Sequence, residues 1–343
     1  MLAVQAPRMI ISASYKTDIP AFYGDWLMAR LDAGYCHVVN PYGRQVHRVD
    51  LRPEAVDGFV FWTRNLALFM APLAEIERRG FPFIVQFTLT GYPRALEAAT
   101  VAAGRAVGQI RAVAADYGPR AAVWRYDPIL VSSLTPLDWH RVHFARLADA
   151  LAGAVDEVVV SFAQIYRKTG RNLAAVARRH GFDWRDPEPA EKRALLADLA
   201  RIAAARGMRL TLCTQPELVM DGIGAARCVD AQRLSDVAGH PIAARQKGNR
   251  PGCLCAQSRD IGDYDSCTQG CVYCYAVSSR ALAQRRRRAH DPASEMLIPA
   301  GRGVDPDGRV PPPPQPSSVE GEGESAAALS LPSPLAGEGQ GGG

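Results

Sequence analysis

Gly58-Phe59-Val60-Phe61-Trp62-Thr63 and, about twenty residues further on, Phe83-Ile84-Val85-Gln86-Phe87-Thr88 set the pattern of this chain. Each is a short β-branched or aromatic run of strand length, ending in polar residues and followed by a longer stretch with helical character. The unit recurs in both directions. Met9–Ser14, Ala121–Tyr126, Glu157–Phe162 and Arg209–Cys213 read as further strands, and segments near 21–33, 66–79, 95–116, 137–152 and 190–206 as helices. Cys36 to Asp50 adds a strand or hairpin after the first helix, and a last helix is expected from Tyr275 to Arg287. Six or seven such units predict an α/β fold, a complete or partial parallel (β/α) barrel over residues 9–290. A doubly wound open sheet is the alternative.

Composition limits the rest. From Gly301 the sequence turns to Pro, Gly, Ser and Glu and ends Gly341-Gly342-Gly343, so 301–343 reads as a disordered low-complexity tail. It resembles translated GC-rich intergenic repeat. The remaining 300 residues suffice for one large domain with a substantial core. No apolar run approaches a membrane span, and the N-terminus lacks the layout of a signal peptide; translation from Met9 is an alternative start. A cytoplasmic protein is expected, whose eight cysteines stay reduced and are metal ligands before they are disulfides. The formal charge is +5, and because the tail carries two Arg against six acidic residues, residues 1–300 carry +9. That surplus suits nucleic acid or phosphorylated substrates, but 36 Arg against 4 Lys also has the look of GC-rich coding.

In barrels and open α/β sheets alike, binding groups gather where strands end. Here those ends read Tyr15-Lys16-Thr17-Asp18, Trp62–Asn65, Gln86–Tyr92, Trp124–Pro128 and Ser161–Tyr166, and the sixth strand ends at Cys213. One such residue alone is as readily a helix cap or loop partner; the ring of them on one face predicts a pocket.

Near the C-terminus Cys267-Thr-Gln-Gly-Cys271-Val-Tyr-Cys274-Tyr275 places three cysteines in a C-x3-C-x2-C array with Tyr273 before the last. Iron–sulfur clusters usually take four thiolates, so three on one loop suit a [4Fe–4S] cluster with one iron left open. This loop resembles the cluster loop of the radical S-adenosylmethionine (SAM) superfamily, and in detail that of its spore photoproduct lyase-like members. The whole span from 9 to 290 resembles an uncharacterised bacterial family, domain of unknown function 1848. The matching phrases are ISASYKTDIP (Ile11–Pro20), FWTRN (Phe61–Asn65), WRYDP (Trp124–Pro128) and DIGDYDSCTQGCVYCYA (Asp260–Ala276).

The superfamily resemblance implies that Cys267, Cys271 and Cys274 hold a [4Fe–4S] cluster and that SAM chelates the fourth iron. One electron, from a donor such as a flavodoxin or ferredoxin, then cleaves SAM to a 5′-deoxyadenosyl radical that takes hydrogen from an unknown substrate. The order departs from the superfamily, whose loop follows the first strand; here it comes last, after an expected short strand around Asp260–Asp263. A circular permutation is implied, and the usual glycine-rich SAM phrase has no match. A zinc site from Cys253 and Cys255 with Cys271 and Cys274 is the competing reading, but it strands Cys267.

Cys213, Cys228, Cys253 and Cys255 number four thiols, as many as a second, auxiliary [4Fe–4S] cluster takes. Against this, Cys213 and Cys228 read equally as small buried hydrophobes. Cys36 reads as core. His140 and His143, one helical turn apart, could share a metal but read as the partly wet side of a helix. Arg285–Arg288 could grip phosphates or be a solvated helix end. Lys16, Arg64 and Arg125 are candidates to neutralise the SAM carboxylate; Asp18, Glu97 and Asp127 could bind ribose hydroxyls or handle protons. Lys16, Asp18, Arg125 and Asp127 are the catalytic candidates. The expected function is thus a radical SAM-like iron–sulfur enzyme. The alternatives are an iron–sulfur electron carrier that does not cleave SAM and a nucleic-acid lesion repair lyase.

Overall fold

The computed structural model describes residues 8–40 and 45–299; the expected tail at 301–343 lies outside them. The order begins with β1 (Met9–Ala13), α1 (Ile19–Phe22), α2 (Gly24–Ala33) and the antiparallel hairpin β2 (Tyr35–Val39) and β3 (Val46–Asp50). Then come β4 (Val56–Thr63), α3 (Met70–Arg78), β5 (Phe83–Thr88), α4 (Ala103–Tyr117), β6 (Ala122–Ile129) and β7 (Val131–Ser132). The next elements are α5 (Leu137–Leu151), β8 (Glu157–Phe162), α6 (Arg167–His180), β9 (Trp184–Arg185), α7 (Pro189–Ala204) and β10 (Arg209–Leu212). The last are β11 (Gly224–Ala225), α8 (Ala231–Ala238), β12 (Ser258–Asp260) and α9 (Arg280–Arg288).

Eight strands form one parallel sheet in the order β11-β10-β8-β6-β5-β4-β1-β12. From β1 to β11 each successive strand is added on the same side. A doubly wound sheet reverses direction in its middle; this one does not. The single jump runs from β11 at one edge to β12 at the other, and these two ends are not paired with each other among the described residues.

Parallel strands covered on both faces read as unbroken apolar runs, which is why Gly58–Thr63 shows little polar alternation. Phe59 and Phe61, with Phe83, Val85, Phe87, Trp124, Val158 and Val160, pack on the helical side. Ile10, Val60, Ile84, Val123 and Val159 point the other way, onto Ala226, Val229, Leu234 and Ile242 from α8 and its flanking loops. The inner face is thus filled at its amino end by the segment between β11 and β12. Arg233 of α8 locks it there: 1 % exposed, it donates to Glu157 at 2.6 Å and to Asp156 at 2.8 Å.

The expected elements differ from the observed ones where tertiary contacts intervene. The helix expected over 95–116 starts only at Ala103, because Leu96–Ala99 runs alongside the cysteine loop, exchanging backbone bonds with Gln269–Val272. The helix expected over 21–33 is split at Tyr23, whose hydroxyl donates to the Ser266 carbonyl at 2.7 Å. The short strand expected near 260–263 lies slightly earlier, at Ser258–Asp260. α6 was not foreseen; strongly charged, it buries only Thr169 and Leu173.

Arg233→Ala would leave Glu157, on β8, with only Thr211 and the exposed Arg209 as partners. Breaking a buried pair from one side costs about 3–5 kcal/mol. Urea denaturation should show a loss of that order, with Arg233→Lys losing less.

Candidate functional site

Alternate residues of a strand share a face, so the inner face can be followed upward two residues at a time. Above the apolar layer of Ile10, Val60, Ile84, Val123 and Val159 stand Ser12, Trp62, Gln86, Arg125, Ser161 and Cys213. The face turns polar within one pleat. Trp62 Nε1 donates to Ser12 Oγ at 3.0 Å, and Gln86 Nε2 donates to the Cys228 carbonyl at 2.8 Å. Arg125, 4 % exposed, donates to Gln86 Oε1 at 3.3 Å and to Cys228 Sγ at 3.0 Å, and its guanidinium lies 5.1 Å from the Trp62 ring. Its other end pairs with Asp127, which also accepts from Ser161 Oγ. Arg125 and Asp127 therefore sit in one ion pair on the inner face, the arginine buried and the aspartate partly exposed.

The cysteine loop is tied over the carboxyl ends of β1, β4 and β5. Asp260, the last residue of β12, accepts from Ser12 Oγ and Ser14 Oγ at 2.8 Å each and from Tyr15 N and Gly262 N at 3.0 Å each, with Lys16 Nζ 3.5 Å away. Asp18 accepts from Ala21 N, Thr63 Oγ1, Arg64 N and Gln269 Nε2, the last lying between Cys267 and Cys271. Burial raises the Asp18 carboxyl, and these four donors oppose the rise. Glu97, 1 % exposed, takes Arg64 Nη1 at 2.8 Å, Thr90 and the Tyr273 hydroxyl. Arg64 Nη2 donates to that hydroxyl at 2.7 Å. The aromatic before the third cysteine is thus a strut.

Burial raises all three thiols, Cys271 to about 12. Arg64 near Cys271 and Lys168 near Cys274 oppose the rise, and Ala276 N donates to Cys274 Sγ at 3.4 Å. Three thiols on one loop, with two cations nearby and an N–H bonded to one of them, match the donor set of a thiolate-bound cluster. Among the described residues, no group of three or more His, Cys, Asp or Glu side chains is arranged to hold a metal ion as it stands.

The other four cysteines come together. Cys213 follows β10, Cys228 follows β11, and Cys253 and Cys255 precede β12. Cys228 and Cys213 are 3.7 Å apart at sulfur, Cys255 neighbours Cys228 and Cys253, and Val229 N donates to Cys255 Sγ at 3.3 Å. Cys36 is fully buried in the main core, as expected. The histidines do not converge. His140 is fully buried rather than partly wet, held by the Tyr126 hydroxyl at 2.8 Å and the Leu130 carbonyl at 3.1 Å; His143 stacks on Trp139 and meets the Thr90 carbonyl at 2.9 Å. Within the Arg285–Arg288 run, Arg286 donates to the Tyr264 carbonyl at 2.6 Å, and the Arg287 guanidinium lies 4.5 Å from the Phe22 ring. Asp260, Gln269, Lys168 and Arg250 were missed as site residues. Only Asp260 carried a signal, as the start of the short strand expected around Asp260–Asp263.

A Cβ at Gly262 would lie 2.0 Å from Ser14 Oγ and 2.5 Å from Ser14 Cβ. Gly262→Ala should cost about 1–3 kcal/mol, and adding Ser14→Gly should recover part of it, a coupling that a double-mutant cycle measures. His140 offers a pH test. Burial brings its folded pKa down to about 4 from 6.5, so the stability it confers is complete above about pH 6.5 and is lost as pH falls toward 4. The loss approaches roughly 3 kcal/mol; denaturation at a series of pH values should show it, reduced in His140→Gln.

No curated protein matches the chain. A family described as "Domain of unknown function (DUF1848)" matches residues 10–276. The match runs from Ile10 in β1 to Ala276, two residues past Cys274, and takes in both cysteine groups. The chain belongs to the DUF1848 family.

Proposed function

We propose that this chain is an iron–sulfur enzyme of the radical SAM type, built on a partial (β/α) barrel circularly permuted relative to that superfamily. The observation that carries the reading is the place of the Cys267–Cys274 loop. It follows β12, which pairs with β1 at the edge of a parallel sheet wound in one direction. A loop that follows the first strand in the superfamily is reached here from the other end of the chain. The jump from β11 to β12 is the step by which a barrel returns to its beginning.

Cys267, Cys271 and Cys274 would hold a [4Fe–4S] cluster with one iron open to SAM. Cluster and SAM, when bound, supply one-electron cleavage of SAM and hydrogen abstraction from substrate. The chain's own part is to hold, orient and insulate. Asp18, Glu97 and Asp260 fix the loop through four, four and five polar contacts respectively, so its thiols are presented by a rigid frame. Arg64 and Lys168 oppose the negative charge that thiolate ligation brings. Trp62, Arg125, Asp127 and Ser161 form the polar layer on the inner face, where SAM and substrate would lie, with Arg125 held by Asp127 and Cys228. Lys16 is turned to Asp260 and Arg64 to Glu97, which leaves them framing roles. A reduced cytoplasmic setting and a flavodoxin- or ferredoxin-like electron donor complete the proposal.

Anaerobically reconstituted protein should hold about four irons and four sulfides at this loop. Adding SAM should alter the EPR spectrum of the reduced cluster, and 5′-deoxyadenosine should form only with reductant. Cys271→Ala should lose both. Iron and sulfide whose EPR spectrum ignores SAM, with no 5′-deoxyadenosine, would mark an electron carrier and end the enzyme reading.

A further inference from the structure

Among the described residues the sheet is not closed by hydrogen bonds, and the four remaining cysteines stand at its opening. Cys213 and Cys228 follow β10 and β11 on one edge; Cys253 and Cys255 lie on the loop that leads into β12 on the other. Cys213 and Cys228 are 3.7 Å apart at sulfur, and Cys255 neighbours both Cys228 and Cys253. Donors surround them. Arg125 Nη1 lies 3.0 Å from Cys228 Sγ, Val229 N 3.3 Å from Cys255 Sγ, and Arg250 Nη2 3.8 Å from Cys213 Sγ. Neutral thiols are weak acceptors, and two guanidiniums aimed at them are better matched by thiolate.

We propose that Cys213, Cys228, Cys253 and Cys255 bind a single thiophilic divalent ion of the zinc class, which staples the two edges of the open sheet together. The 3.7 Å between the Cys213 and Cys228 sulfurs favours a single ion over the auxiliary [4Fe–4S] cluster expected from the cysteine count. Zinc–sulfur bonds of about 2.3 Å in a tetrahedron put the sulfurs about 3.8 Å apart. A cubane cluster holds its cysteine sulfurs at outer corners, beyond mutual contact. The Cys213–Cys228 contact has the length of one edge of such a tetrahedron. The ion would draw Cys253 and Cys255 in to complete it, because the four thiols are not closed round a point as they stand. The CxC loop is built for close approach: a Cβ at Gly248 would lie 2.2 Å from the Cys253 carbonyl oxygen and 2.6 Å from its Cβ.

The site uses none of the residues of the Cys267–Cys274 loop, so the two assignments fail separately. Full-length protein purified anaerobically from cells supplied with both metals should contain about one zinc per chain beside the loop's iron. Cys271→Ala should lose iron and keep zinc; Cys228→Ser and Cys255→Ser should lower zinc at least tenfold and keep iron. Cobalt added to zinc-free protein should give the intense thiolate charge-transfer and tetrahedral d–d bands of a four-sulfur site, absent in Cys228→Ser. Should the variants fail to fold, the wild type still decides: releasing zinc with a chelator should expose four additional alkylatable thiols. About eight irons without zinc, a Cys213–Cys228 disulfide in the native protein, or four thiols that react freely before chelation would each overturn the proposal.

Discussion

Three residues of β12 pairing with β1 set the frame of this protein. The strand is short, and backbone ladders alone would hold it weakly, but its last side chain, Asp260, collects donors from Ser12, Ser14, Tyr15 and Gly262. A carboxylate with several partners is a strong and directional anchor, because bonds to an ionised group are roughly twice as strong as neutral ones. Everything downstream hangs from it. The loop that carries Cys267, Cys271 and Cys274 leaves this point, and Ile261 N continues the ladder to the Ser12 carbonyl at 3.0 Å.

The second ordering principle is the change in polarity along the inner face. One layer, from β1, β4, β5, β6 and β8, is apolar and packed by α8; two residues higher these strands present Ser12, Trp62, Gln86, Arg125 and Ser161. Buried charge is tolerated there because it is paired: Arg64 with Glu97, Arg125 with Asp127 and, lower down, Arg233 with Glu157. Pairs of this kind add little net stability compared with apolar packing, yet removing one partner is costly. They fix geometry, which is what a site must do when its ligands sit on a loop.

Much of this was legible in the sequence, and the reasons differ by element. Strand cores such as Phe83–Thr88 and Glu157–Phe162 were readable to the residue, since burial on both faces forces a continuous apolar run. The hairpin of β2 and β3 and the C-x3-C-x2-C loop were likewise local signals. What escaped was set by partners far along the chain. Leu96–Ala99 has helical composition but pairs with a loop more than 170 residues later, and Tyr23 interrupts a helix for a carbonyl at Ser266. His140 sat in an amphipathic pattern that gave no sign of the buried Tyr126 hydroxyl facing it. Cysteine spacing showed that four thiols were available, but not that they would meet at the sheet's opening, because that meeting depends on which edges remain unpaired.

The placement of β12 beside β1 has a consequence for how the protein is made. Synthesis delivers β1 through β11 first, and domains begin to fold as their residues emerge. Seven strands of the sheet, with Asp18, Arg64 and Glu97 on their loops, are on hand before the first cysteine of the triad leaves the ribosome. The seat is therefore assembled ahead of its occupant. The triad's thiols arrive late, with α9 and the core-packing Leu297 and Ile298 after them, so the interval in which they lie open to stray metals or oxidants is short.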